Sequence, residues 1–595
     1  MLKIPLIISC FYVIASNAIL YDSFTGKPVN KTLLKIYETR KNIEICTIEI
    51  KPCEPNQWRR VDGSCTNPKY PSRGTHRTPS HRVLAPVFSS DYEPRKAVNG
   101  GPLPLARKLR TELLSMGKAS ERSITQLASY YMIFMFTDLS AIHEVANYII
   151  NIETCCIPEG QYDNRCIPLK IPVDDPVHRY SGVRCMNLTR PLSYQTYGCL
   201  DNGTTFERMV IQTPLYDLSQ TYNPTPGVID HIRTYKNGLM IEEEEDGQLF
   251  PPTDPDSHMC LLNQPPRENR CFKYHINNVM SSNLMNILFY RQHNQIAREL
   301  YRLNPSWDDE RLFYTARDIN MAISVQIFFY ELLPIIMGKK NMIRDGIIGD
   351  GGFRDLYDES VEPRMSDEYV YGLRWFHLIQ ETDLKLHDKN GHYVRSFPLV
   401  NGTTRTGFLA IDNNMQHIIQ GSFRQLGGKF DQTIDYDMAD RILGGILHSS
   451  DVTASDIEKG RYYGLQPYVN YKEFCTKKKY RSFADLEDSF SFESLNRLMK
   501  VYKDPRDIDL IAGLWGEKYV KGGKIPETLY CLLVEQLKRT VQSDRHWYER
   551  HNRPRAFTEE QLKAIRQVTI AGTLCYIGDF VTEIQPRAFY AISNE

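Results

Sequence analysis

The chain reads as a mainly α-helical protein: one large, disulfide-bonded helical domain behind a short N-terminal accessory segment. Three observations predict this. Apolar residues recur at helical spacing, alternating strand patterns are few and short, and no long linker, tandem repeat or heptad run breaks residues 58–571. Phe313, Ala316, Ile319, Ile323, Ile327 and Tyr330 follow steps of three and four, and Pro334 is expected to stop that helix. The stretch Leu284 to Leu300 repeats the pattern. Pro251-Pro252 and Gly349-Asp350-Gly351-Gly352 mark loops. With 595 residues, 42% hydrophobic and 24% charged, the chain can bury a substantial core.

Lys3, the apolar stretch Ile4 to Ala15 and the small residues Ser16 and Ala18 predict a secretory signal over residues 1–18, hence a secreted, extracellular protein. That stretch is too short to span a bilayer, and no later segment is expected to do so without charges. Residues 19–57 are the accessory segment, in which Cys46 and Cys53 are candidates for a local pair, and residues 58–595 are the main domain. Sequons start at Asn30, Asn187, Asn202 and Asn401, as a secreted glycoprotein would have. Of 14 cysteines Cys10 lies in the signal, leaving 13. At least one is then free or bonded to another chain, and Cys575 is the candidate for a disulfide-linked oligomer. Lys+Arg and Asp+Glu both total 72, which gives no reason to expect nucleic acid or an anionic membrane as partner. The acidic run Glu242 to Asp246 reads as a solvated loop.

Ordered motifs run along the chain. Arg60 to Asn67 resembles R-x-x-D-G-x-C-N-N, and Pro94-Arg95 and Leu103 to Arg107 follow it. Arg291 to Ala297 resembles R-E-H-N-R-x-A, Asn304 to Glu310 resembles N-P-x-W-x-D-E, and Asp544 to Glu549 resembles D-R-F-W-Y-E with His546 in the Phe place. Taken together they resemble the animal haem peroxidases over nearly the whole chain. The resemblance implies a mainly α-helical fold around a buried haem b, and disulfides Cys166–Cys185, Cys260–Cys271 and Cys475–Cys531.

Against that pattern the distal site is degenerate. The family has Gln-Phe-x-Asp-His-Asp where this chain has Ile133-Phe134-Met135-Phe136-Thr137-Asp138. On a helix Ile133, Phe136 and Thr137 share a face, so two apolar groups and a hydroxyl replace an amide, a carboxylate and an imidazole. The hydroxyl of Thr137 does not titrate near neutral pH and cannot shuttle the proton. The family's distal arginine and haem-ester glutamate fall at Asn278 and Ser281 counting from Cys271, or the arginine falls near His275 counting back from Arg291. In both registers arginine and glutamate are missing, and Phe136 replaces the other ester acid, so haem would be held non-covalently. His275 is left as a surrogate base.

Other parts are kept. The resemblance implies calcium bound by Asp138 with Thr213, Leu215, Asp217 and Ser219, the carboxylate, hydroxyl and carbonyl oxygens a hard cation needs. Taken alone the same loop is a polar turn. On the proximal side Tyr369 to His377 resembles F-x-x-A-F-R-x-G-H, with Arg374 and the iron-ligating His377 present and Phe376 in place of glycine. Asp456 stands where the family's Asn accepts the second N–H of that histidine, followed by the unexplained Tyr462 and Tyr463. Three readings follow: a secreted, calcium-stabilised pseudoperoxidase with an unknown protein or matrix partner, its cavity filled by Phe136, Phe376 and Trp375; a haem binder held by His377; or a peroxidase of low activity that oxidises small donors with H2O2.

Overall fold

The computed structural model describes residues 18–89, 93–140, 155–163, 165–190, 193–201, 207–254, 271–273, 279–442, 451–578 and 581–592. The expected signal, Cys260, His275, Asn278 and the sequon at Asn202 lie outside them. Helices dominate, and strands pair only as two-stranded ribbons among the described residues.

The N-terminal segment is fastened to the body. β1 (Ile19–Asp22) and β2 (Thr47–Ile50) pair antiparallel around α1 (Lys31–Arg40), whose first amides, Thr32 and Leu33, donate to the Asn30 side chain. The expected Cys46–Cys53 pair is corrected to Cys46–Cys199 and Cys53–Cys65. The two cysteines sit in different apolar clusters, Cys46 with Tyr194 and Met209, Cys53 with Ile48 and Ile50. The expected Cys166–Cys185 pair is also corrected: the adjacent Cys155 and Cys156 take Cys166 and Cys185 respectively. Cys475–Cys531 is formed, Cys271 is disulfide-bonded, and Cys575 is free and exposed. Asn30 and Asn401 are exposed, whereas Asn187 is buried and its side chain accepts the amide of Cys155 at 3.0 Å.

The core is built on long helices. α3 (Gln126–Ser140), apolar on nearly every side and therefore central, packs on α4 (Met280–Leu303), while α2 (Ala106–Leu113), which precedes it in the chain, packs on Val452–Tyr462. Phe134 of α3 stacks on Phe289 of α4 at 5.3 Å between ring centroids. The acidic run is corrected from a loop to a hairpin, β3 (Glu243–Glu245) with β4 (Gln248–Phe250), turning at Asp246 and Gly247, both at positive φ. α5 (Asp309–Ile327) starts where Asp308 accepts the amide of Arg311 at 2.7 Å.

Pro334 does not stop α5. The backbone continues through π-helical turns at Phe328–Leu332 and Pro334–Gly338 into Lys339–Arg344. The wider turns shift the hydrogen-bond register, so the missing N–H of proline breaks no i→i−4 ladder. The resulting 36-residue rod, Asp309–Arg344, is by length and composition apolar enough to cross a membrane, but it carries Glu331 within its apolar stretch, as the sequence expectation of no charge-free span requires, and 83% of its most apolar stretch is buried inside the protein.

Two further helices carry the candidate site. α6 (Asp367–Leu373) is capped by Ser366, which accepts the amide of Tyr369, and runs on as the 3-10 helix Arg374–Ile379. α7 (Val452–Tyr462) is capped by Asp451, which accepts the amides of Thr453 and Ala454. Glu368 of α6 is fully buried and accepts the amides of Val83 and Leu84 and the Tyr471 hydroxyl. Burial pushes its carboxyl up to about 7. The folded state then holds a proton that the unfolded chain releases near pH 4.5, so this contribution is full below that pH and is lost as pH rises through 7. Glu368→Gln should flatten the pH–stability curve over that range by on the order of 3 kcal/mol. Unfolding curves at pH 4.5, 6 and 7.5 check it; parallel curves for the two proteins would contradict it.

Candidate functional site

Three parts converge around the C-terminal half of α3. Among residues 126–139 only Ile133 and Thr137, one turn apart, are partly exposed. The Thr137 hydroxyl donates to the Ile133 carbonyl at 2.6 Å. Its proton is thereby committed to the helix backbone, a bond that threonine makes readily within a helix. Phe136 packs inward, with ring centroids 5.2 Å from Phe376, 5.9 Å from Phe328 and 6.3 Å from Tyr369. α3 therefore meets the Arg374–Ile379 segment through two benzyl groups. Ser281, at the first turn of α4, is buried with no hydrogen-bond partner for its hydroxyl.

On the other side a single carboxylate organises the segment. Asp456 of α7 is 2% exposed; His377 Nδ1 lies 2.8 Å from its Oδ2 and Arg374 Nη1 donates to its Oδ1 at 2.7 Å. The structure thus brings Arg374, His377 and Asp456 together. With Nδ1 used, Nε2 is the nitrogen left for a ligand, and the His377 side chain is 24% exposed. Trp375 is fully buried and stacks on Phe430.

The third part is the loop 213–219. Asp138, Thr213, Leu215, Asp217 and Ser219 are all buried. Asp138 accepts the amides of Leu218 at 2.9 Å and Gln220 at 3.1 Å and the Ser219 hydroxyl at 3.0 Å. Thr213 donates to Asp217 Oδ1 at 2.6 Å, while Asp217 Oδ2 is buried with no hydrogen-bond partner and lies 3.9 Å from Arg317 Nη2. Burial, then the charge of Asp217, pushes the Asp138 carboxyl up to about 7. Burial raises Asp217 too, against the pull of Arg317 and Arg59. A pair of buried carboxylates, one with an oxygen that takes no hydrogen bond, is a donor set whose chemistry suits a hard cation.

Sequence reasoning missed Arg317, the shared use of Asp456 by Arg374, and the Tyr216–Tyr369 hydroxyl contact that joins this loop to the aromatic cluster around Phe136. No local spacing announces contacts between residues about 80 to 150 positions apart.

Comparisons with known proteins agree on the family. A family model described as animal haem peroxidase matches residues 58–589. The chain is 28% identical over 574 residues to a Drosophila melanogaster peroxidase, covering 92% of this chain and 82% of that one. It is 28% identical over 549 residues to the Drosophila melanogaster chorion peroxidase, covering 88% and 66%, and 26% identical over 571 residues to a human peroxidasin homolog, covering 90% and 38%. Among solved structures, peroxidase A from Dictyostelium discoideum superposes with a TM-score of 0.72 at 20% identity, covering 90% of this chain and 99% of that one. A fatty acid alpha-dioxygenase from Oryza sativa gives 0.69 at 16% identity, covering 90% and 88%. Both share the fold.

Proposed function

The chain belongs to the animal haem peroxidase family, and from that premise we propose that it is a secreted, calcium-stabilised member whose distal site has lost peroxide chemistry. The observation that carries this reading is Thr137. A hydroxyl bonded to the Ile133 carbonyl stands where the family holds its proton-shuttling imidazole. Splitting peroxide needs a base for the first proton and a donor or cation for the departing oxygen. Neither Ile133, Phe136, Thr137 nor Ser281 supplies one. The protein then serves as a folded scaffold that binds a protein or matrix partner, with residues 1–18 as signal, 19–57 as tethered accessory segment and 58–595 as the domain. The disulfides across the described residues support passage through an oxidising compartment.

Calcium is assigned to Asp138, Thr213, Leu215, Asp217 and Ser219, in a structural role. Chelation should lower the melting temperature, and Asp217→Ala should abolish that response. Melting curves with calcium and with chelator check it; superimposable wild-type curves would remove the site.

A second reading, haem ligation, rests on the His377–Asp456 bond. That pair fits an axial ligand whose other nitrogen is anchored, and the iron porphyrin would supply redox chemistry when bound. The Phe136–Phe376 contact sets its limit. A flat macrocycle needs about 3.5 Å of clearance on each face, so none fits between those two rings as they stand. Haem b would be held by His377 alone, and non-covalently, because Phe136 and Ser281 replace both ester acids. An absorption spectrum of protein secreted by haem-supplied cells tests this. A Soret band near one haem per chain, lost in His377→Ala, supports ligation. A folded protein with no such band leaves the scaffold alone.

A further inference from the structure

His546 stands in the Phe place of the D-R-F-W-Y-E motif, and it is 3% exposed. Its backbone amide donates to Asp544, but its Nε2 is buried with no hydrogen-bond partner. Around it lie four guanidinium groups, Arg59, Arg317, Arg545 and Arg553, none more than 7% exposed and each felt electrostatically by the imidazole. Several of their N–H groups are also buried without a hydrogen bond: Arg59 Nε and Nη1, Arg317 Nε and Nη2, Arg545 Nε and Nη2, and Arg553 Nε. The arginines are mutually close, since Arg317 Nη1 donates to the Arg59 carbonyl at 2.7 Å.

The carboxylates on hand are Asp544 on Arg59, Asp318 on Arg553 and Asp217 near Arg317. Four buried cations thus face three buried anions, one of which, Asp217, the calcium assignment also uses, so at least one positive charge is uncompensated. Buried donors lacking acceptors cost free energy, and a buried unpaired cation costs more. Burial, and then the surrounding arginines, holds His546 well below the ordinary imidazole range, so it is neutral. The tautomer with its proton on Nε2 adds one more donor to the set. The aromatic ring that the family motif carries at this position could not do so.

We propose that Arg59, Arg317 and His546 enclose a buried halide, with chloride the physiological candidate. A monovalent anion offsets part of the excess charge and accepts from the orphaned N–H groups. The near-complete burial of the surrounding side chains favours a compact ion over a phosphate or an organic acid. Its ligands are not those on the His377 side, and it does not depend on haem or on catalysis.

Bromide is the probe. In crystals of the full secreted chain soaked in bromide, an anomalous peak should appear between Arg59, Arg317 and His546, and it should vanish in His546→Phe, which restores the motif's own residue. A water or nothing at that place in the wild type, or an undiminished peak in the variant, overturns the proposal. Solution measurements give a second readout. With gluconate replacing chloride at fixed ionic strength, the wild-type melting temperature should rise by about 1 °C per tenfold increase in chloride above its dissociation constant. His546→Phe should show no such rise, and equal slopes for the two proteins would also overturn the site.

Discussion

Asp451→Ala should destabilise the protein by about 2.5–4 kcal/mol, the summed cost of a lost helix cap and of lost hydrogen bonds between buried charged groups. Arg107 and Arg110 of α2 are 0% exposed, and both donate to Asp451 Oδ2 at 2.7 Å, Arg107 through Nη1 and Arg110 through Nε. Asp175 and Asp440 complete the cluster. Burial alone would raise the Asp451 carboxyl, but Arg110 and Arg107 outweigh it and hold it below the usual carboxylate range. The other Asp451 oxygen caps α7, the helix that carries Asp456. Alanine therefore removes a cap worth about 1 kcal/mol and takes away the acceptor that both buried guanidiniums share, leaving Arg110 Nε without one. Asp451→Asn keeps the capping oxygen and should cost less. Denaturant unfolding checks both variants. A loss under about 1 kcal/mol for Asp451→Ala would show that Asp440 and Asp175 suffice.

Peroxide-driven donor oxidation should fall roughly 10⁴-fold or more below that of a relative with an intact distal site. Losing a positioned acid–base group costs roughly 10²–10⁴-fold, and losing a charge-stabilising donor costs roughly 10²–10³-fold. Both losses act on the same step, which makes it the slowest one. The chain has no spare group nearby among the described residues. His293 is the histidine of the Arg291–Ala297 motif, but it lies between the Tyr222 hydroxyl and the Gly238 carbonyl, and burial lowers it to about 3. Steady-state assays per bound haem check the prediction, and turnover within tenfold of an intact relative would contradict it.

Much of this was legible in the sequence because it is local. Helical spacing located α4 and most of α5, and Gly and Pro clusters located the loops. Motif register located Asp138, the 213–219 loop, His377 and Asp456, which the fold does assemble. The failures have a common physical origin. Pro334 looked like a stop because proline removes an N–H, yet π turns absorb that loss. Cys46 and Cys53 looked like a pair because they are close in sequence, yet adjacent cysteines often sit in different packing layers, as these do. The direct contact of Phe136 with Phe376 depends on how two distant segments pack, and the same holds for the charge cluster at Asp217, Arg317 and His546.

The central claim is that this fold keeps its framework and has lost the group that handles the peroxide proton. The most direct test mixes protein from haem-supplied cells with one equivalent of H2O2 and follows the Soret region from milliseconds to minutes. Donor oxidation and product release do not enter that measurement, so it isolates the step for which the proposed reading gives Thr137 and Phe136 no proton to move. The account predicts a spectrum unchanged over the first seconds, whether or not haem is bound. A complete spectral change within milliseconds would contradict it, and would require a proton shuttle that the residues around Thr137 do not provide.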